Sequence, residues 1–148
     1  MTQQPEGDVL TREERFEAIA LAEEGPLVAL ADTVLGGHEV RVLRPPAGGA
    51  VMMRAIETAE GSTFNLGEVA VTEAEVEVAG ERGYCVVMGF APAKALAGAV
   101  IDAAAEAGIA REPIEEFLRA AVAAKMRADA EEWARLAPTR VQFDEIPS

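Results

Sequence analysis

Three groupings in this sequence contain residue types able to do chemistry. Cys85 and His38 are its single cysteine and single histidine, and a thiol activated by an imidazole is a common nucleophile. Cys85, however, stands in Tyr84-Cys85-Val86-Val87-Met88, which is apolar at every position. A thiolate is disfavoured there, so the position reads as a core cysteine. His38 follows Gly36-Gly37 and reads as a surface or capping residue with no identifiable orienting partner. The second grouping is Arg41, Arg44 and Arg54, placed on neighbouring predicted strands. Converging arginines clamp phosphate bidentately, and Arg44 and Arg54 with Glu68 would make a small phosphate-binding module. The competing and favoured reading pairs them across strands with Glu39, Glu57 or Glu68. The third is the abundance of carboxylates, 26 in all. A carboxylate-only magnesium site competes here with a solvated acidic face, and the latter is favoured. One His and one Cys do not make a zinc or iron–sulfur site, so no metal and no cofactor are expected in this chain. No Gly-x-x-x-x-Gly-Lys-Ser/Thr loop is present, and Gly61 to Gly67 leads into a strand rather than the helix N-terminus of a phosphate cradle.

The totals narrow the function classes. A chain of 148 residues with 50% apolar content reads as one domain, able to bury roughly 70% of its unfolded surface. Its formal net charge of −13 argues against nucleic acid and against an anionic membrane surface, both of which call for clustered Lys and Arg. The lone cysteine rules out an internal disulfide and fits a reducing compartment, so a cytoplasmic location is expected. No signal pattern opens the chain. The alanine-rich run from Ala91 is interrupted by Lys94, Asp102 and Glu106, too many charges for a membrane span.

The elements that position these residues follow from pattern. Residues 1–10 read as a loose tail. Thr11-Arg12-Glu13-Glu14 has the form of a capping box, followed by Phe16, Ile19 and Ala20 at helical spacing. Gly25-Pro26 ends that helix, and a second from Pro26 to Leu35 completes an αα-hairpin. His38–Leu43 and Ala50–Ile56 read as two strands separated by an Arg44–Gly49 loop containing Pro45 and Pro46. Residues 68–79 form a third strand. Its apolar positions change phase between 69/71 and 74/76/78, which predicts a β-bulge at Thr72-Glu73. Residues 79–83 make a hairpin turn into a fourth strand, 84–88. Helices follow from Pro92 to Ala107 and from Glu112 to Pro138. The expected fold is α+β, a four-stranded mainly antiparallel sheet preceded by an αα-hairpin and followed by two helices. Residues 138–148 form an extended C-terminal tail. Trp133 and the tail residues Arg140, Val141 and Phe143 are candidate partner contacts, because aromatics anchor interfaces and an extended segment adds to a sheet edge.

The central segment resembles the G subunit family (PhnG) of the bacterial carbon–phosphorus lyase core complex, which serves phosphonate use. The residues that carry the resemblance are Arg44-Pro45-Pro46, Val51-Met52-Met53-Arg54, Phe64-Asn65-Leu66-Gly67-Glu68 with Val69, Val71 and Thr72, Gly83-Tyr84, Val87-Met88-Gly89 and the closing Thr139-Arg140-Val141-Gln142-Phe143. It extends from about Leu30 onward. One departure is that the family has a charged run, Gly-Arg-Asp-Lys then His-Ala-Glu, where this chain has Gly89-Phe90-Ala91-Pro92-Ala93-Lys94-Ala95-Leu96-Ala97. The contact that run makes in the family is therefore missing or supplied differently here.

The resemblance implies a subunit that is not catalytic alone and works beside PhnH-, PhnI- and PhnJ-like subunits. In that family the complex transfers an alkylphosphonate to the ribose C1 of ATP with release of adenine, the ribose 1-methylphosphonate 5-triphosphate synthase reaction. Arg44, Arg54, Asn65 and Glu68 are the motif residues that would face substrate, although a turn Asn and a strand-edge Glu are also structurally ordinary. Alternatives are a scaffold paralogue with a changed partner, and the stand-alone phosphate-binding module.

Overall fold

The computed structural model describes residues 9–56 and 61–144, with side chains described except at 53, 55–56, 64–66 and 137–144. The element order is α1 (Arg12–Leu21), α2 (Glu24–Leu35), β1 (Val40–Ile56), β2 (Thr63–Val78), β3 (Glu81–Met88), α3 (Pro92–Glu106) and α4 (Arg111–Asp144). The fold is α+β, but its antiparallel sheet has three strands in the order β1-β2-β3, not the four expected.

The miscount arises at Arg44–Gly49, which is strand and not loop. β1 is an edge strand, where a missing proline N–H has no ladder partner to deprive. The chain absorbs Pro45 and Pro46 in a register shift between Arg44, opposite Glu75, and Ala47, opposite Glu73. The expected two strands are therefore one long bulged strand.

The bulge expected at Thr72-Glu73 is also absent. Thr72 lies opposite both Gly48 and Val87, and Glu73 opposite both Ala47 and Val86, in unbroken register. The apparent change of phase has another cause. Thr72 is fully buried on the helix-covered face, in line with Ala74, Val76 and Val78. Its hydroxyl donates to the Gly89 carbonyl at 2.6 Å and accepts from the Ala91 N–H at 2.9 Å. A polar residue thus holds an inward position by bridging the turn from β3 to α3, while Val69 and Val71 belong to the other face.

Local signals set the remaining boundaries. The Thr11 side chain accepts from Glu14 N–H at 3.1 Å, and Glu14 accepts from Thr11 N–H at 2.9 Å, completing the capping box. Gly25 and Pro26 fall inside the first turn of α2, where proline's missing N–H has no helical partner to lose. Ala79 and Gly80 both have positive φ (51° and 84°), the geometry of a two-residue hairpin turn.

α3 is the central helix, packed on β2, β3 and α2 and buried nearly all round. Its small residues let it approach the sheet backbone. A Cβ at Gly83 would overlap the Ala99 and Ala103 backbone, and one at Gly98 would overlap Cys85 and Ile19. α1 lies against the first part of α4, where Ile114 and Leu118 are fully buried. Residues 123–136 are all exposed, although Ala124, Lys125 and Ala128 still border a hollow with Leu21, Ala22 and Pro26. α4 also continues helically through Pro138 to Asp144, where the sequence predicts an extended tail. The preceding Ala, Lys, Arg, Glu and Leu are strong helix formers and sustain it.

Candidate functional site: the uncovered sheet face

The helices cover one face of the sheet and leave the other open. Alternation along β2 decides which residues look outward. Ala74, Val76 and Val78 turn to the core, so Glu73, Glu75 and Glu77 line the open face. Their cross-strand neighbours are Arg41 and Arg44 on β1 and Arg82, Tyr84 and Val86 on β3.

One end of this face is a charged lattice. Arg41 pairs with Glu77 at 3.4 Å, and Arg44 reaches Glu73 at 3.6 Å and Glu75 at 3.9 Å. Arg82 pairs with Glu75 at 3.5 Å, and the Tyr84 hydroxyl donates to Glu73 at 2.8 Å. Burial and that hydrogen bond to Glu73 hold the Tyr84 phenol above its ordinary pKa. Arginine is thus matched by carboxylate on this face, as the cross-strand reading anticipates, although the partners are Glu73, Glu75 and Glu77. Alternating Glu in β2 is the sequence signal that would have named them.

The other end is apolar. Val51 lies opposite Val69, and Val71 opposite Met88. Val51, Val86 and Met88 are exposed, Met88 at 68%, and Phe90 at the exit of β3 is 81% exposed. The β1–β2 ribbon continues past the end of β3, which pairs only with Val71–Val78.

The candidate residues do not gather. Arg41, Arg44 and Arg54 all lie on β1 rather than on neighbouring strands. The ten steps from Arg44 to Arg54 span about 33 Å of strand. Arg44 faces the open side with Glu75, whereas Arg54 falls in phase with Met52, which lies opposite Glu68 on the reverse face. Arg54 and Glu68 are exposed and make no ion pair among the described residues. Asn65 lies opposite Arg54 in the register, and its side chain is outside the described set. Trp133 lies on the exposed part of α4, and the side chains of Arg140, Val141 and Phe143 are likewise outside the described set.

Cys85 and His38 are also apart. Cys85 is buried on the helix side of β3, where burial pushes its thiol up to about 12. His38 precedes β1, at the opposite edge of the sheet, and its N–H donates to the Leu35 carbonyl at 2.6 Å. Among the described residues no group of three or more His, Cys, Asp or Glu is placed to hold a metal ion, and no helix is long and apolar enough to cross a membrane.

Sequence reasoning missed the most heavily bonded side chain among the described residues. Asp102 on α3 is fully buried. It accepts from Arg12 at 2.7 and 3.2 Å, from Arg15 at 2.8 and 3.0 Å, and from the Tyr84 N–H at 3.0 Å. Arg15, itself buried, also pairs with Glu106, and Arg12 donates to the Arg82 carbonyl at 3.0 Å. This cluster ties α1, α3 and the outer edge of β3 together. The signal was Asp102 standing alone among the small and apolar residues from Ala95 to Ala105.

Among the described residues the open face thus joins a charged end to an apolar one. A family model described as phosphonate metabolism protein PhnG matches residues 10–146. The match takes in α1 and α2 as well as the segment from Leu30. The chain is similar to a curated relative from Rhizobium meliloti (strain 1021), the alpha-D-ribose 1-methylphosphonate 5-triphosphate synthase subunit PhnG. The two are 34% identical over 139 residues, which cover 91% of this chain and 87% of the relative.

Proposed function

The chain belongs to the PhnG family of phosphonate-metabolism proteins, and on that premise we propose that it is a subunit of a carbon–phosphorus lyase core complex. In this reading it assists transfer of an alkylphosphonate to the ribose C1 of ATP with release of adenine, alongside PhnH-, PhnI- and PhnJ-like subunits. The observation that carries the reading is a family match running through all four helices and the sheet. The geometry supports an assisting role. Arg41, Arg44 and Arg82 are each engaged by carboxylates, and Cys85 is a buried thiol held protonated. The chain's own part is to present the open sheet face to a neighbouring subunit, with no cofactor bound to it. The assembly works in the cytoplasm, where ATP is available.

Co-expression with the H, I and J subunits of the same organism tests this. The expected result is one complex in which all four chains co-elute. A chain that elutes alone in the presence of all three overturns the reading.

One observation favours a second reading, a scaffold that has changed partner. In place of the family's charged run, Phe90 stands exposed and Lys94 donates to the Ala20 carbonyl within this chain at 2.8 Å. The same co-expression decides between the two, because a changed partner leaves this chain outside the H, I and J assembly.

A further inference from the structure

β2 outruns its neighbour on one side only. It pairs with β1 along its whole length, from Val40↔Val78 to Ile56↔Thr63, but β3 pairs only with Val71–Val78. β3 does not stop because β2 ends. The Gly89 N–H still donates to the Ala70 carbonyl at 2.8 Å, and the chain then turns away at Gly89, whose φ of 80° is left-handed, to enter α3. Past that point β2 from Thr63 to Glu68 has no strand beside it on the β3 side among the described residues. A two-stranded ribbon is marginal by itself in water, and a row of unpaired N–H and C=O groups is a template for another strand.

Parity fixes which groups are on offer. A residue's N–H and C=O point to the same side of an antiparallel strand, and the side alternates along the chain. Ala70 turns its carbonyl to the β3 line, so Glu68 turns its backbone groups the same way and Val69 turns its own to β1. Gly67, Glu68 and Ala70 are exposed. The register shift between Met53 and Arg54, with Gly67 at a φ of 129°, bends the ribbon just beyond, as a bulge that ends pairing does. The free edge therefore suits a short strand opposite Gly67 to Ala70.

Two observations describe the strand that fits. The first is charge. Glu68 makes no ion pair among the described residues, and its side chain lies beside the vacant line on the face away from Val69. A Lys or Arg across from it forms a cross-strand pair. A second copy of this chain would bring a further −13 and is disfavoured. The second is the apolar end of the open face. Val69 lies there opposite Val51. A residue opposite Val69 would stand two places along the β3 line from Met88, which is 68% exposed.

We infer that a neighbouring subunit adds a strand to the free edge of β2, in line with β3, with a Lys or Arg opposite Glu68 and an apolar residue opposite Val69. Main-chain bonds supply the affinity of such an addition and alternate side chains its specificity. Glu68 is then a contact to a partner strand rather than to substrate. The inference rests on the chain being a subunit of an assembly, and adds how it is held there.

Amide hydrogen exchange of the chain alone and of its co-purified complex with the H, I and J subunits tests it, read at Glu68 by mass spectrometry with fragmentation. Exchange at Glu68 should be fast in the isolated chain and at least about tenfold slower in the complex. Two variants separate backbone from side chain. Glu68→Pro removes an N–H that faces the free edge and spares those that face β1, whereas Glu68→Ala keeps it. Glu68→Pro should weaken association at least about tenfold more than Glu68→Ala. Glu68→Lys should also weaken it more than Glu68→Ala, by like-charge repulsion. Far-UV circular dichroism and the urea midpoint report that each variant remains folded, and the exchange measurement needs no variant. Four results overturn this inference alone: protection of Glu68 in the isolated chain, fast exchange at Glu68 within an intact complex, equal binding of the Pro and Ala variants, or equal binding of the Lys and Ala variants. A parent chain that elutes apart from H, I and J overturns the proposed function and this inference with it.

Discussion

Asp102 shows how much one residue can organise. Its carboxylate is fully buried and accepts from two arginines and the Tyr84 backbone. Removing one partner of such a cluster leaves a charge buried without its counterpart, which costs about 3–5 kcal/mol, whereas an exposed partner contributes about 1 or less. Asp102→Asn, which leaves buried Arg15 with only the partly exposed Glu106 as a carboxylate partner, is therefore expected to lower the free energy of unfolding by about 3 kcal/mol, and Arg12→Ala, at the half-exposed rim, by markedly less. Urea denaturation of the two variants checks this, and equal losses would show that charge burial is not the dominant cost. Cys85 gives a second prediction. Its folded pKa is raised from 9.0 to about 12, so folding favours the neutral thiol. That contribution is complete below pH 9.0 and is lost as pH rises towards about 12. Tyr84, also raised, adds to the alkaline loss. The urea midpoint should fall across this window and fall less steeply in Cys85→Ala. A pH dependence identical in the variant would sink the assignment to Cys85.

At the scale of elements, α3 is held to the sheet by what its neighbours lack. Gly83 and Gly98 leave room for the Ala99 and Ala103 backbone and for the Cys85 side chain. Gly83→Ala forces α3 off β3 because the obstruction is backbone, and over-packing of this kind costs about 1–3 kcal/mol or more. Thermal unfolding should show that loss, and a variant as stable as the parent would mean that α3 shifts freely. Thr72→Val, which removes both bonds across the β3–α3 turn, should cost about 1–3 kcal/mol by the same measurement. The elements themselves were largely legible. The capping box of α1, Pro92 at the start of α3 and the apolar run of β3 each act through local chemistry, and local chemistry is what a sequence displays. The errors came where tertiary context decided. Pro45 and Pro46 read as a loop until β1 is known to be an edge strand. Thr72 reads as part of a bulge until Gly89 and Ala91 are known to need its hydroxyl. The candidate site suffered more. Cross-strand pairing of arginine with glutamate was legible as chemistry, but its partners depend on register, and nothing local shows that Arg44 and Arg54 share one strand.

The whole molecule is asymmetric in what it covers. α3, with α1 at the β3 edge, covers one face of a three-stranded sheet, and the other face carries a neutralised charge lattice beside Val51, Val86 and Met88. Charge pairs on a rim contribute little affinity and mainly set orientation, whereas a few desolvated apolar groups carry most of the energy of an interface. If this face is where the chain meets a neighbouring subunit, the two ends of it should respond differently to substitution. Val86→Glu and Met88→Glu place charge in the apolar part. They should abolish co-elution with the H, I and J subunits while leaving the urea midpoint of the isolated chain unchanged, because both side chains already face solvent. Arg41→Ala, at the charged end, should weaken association by less than about tenfold and make it less sensitive to salt. Quantitative pull-down at two ionic strengths distinguishes these outcomes. Full co-elution of both apolar variants would move the interface off the sheet. The exposed second half of α4 would then be the next surface to test, with Leu136→Glu in the same assay.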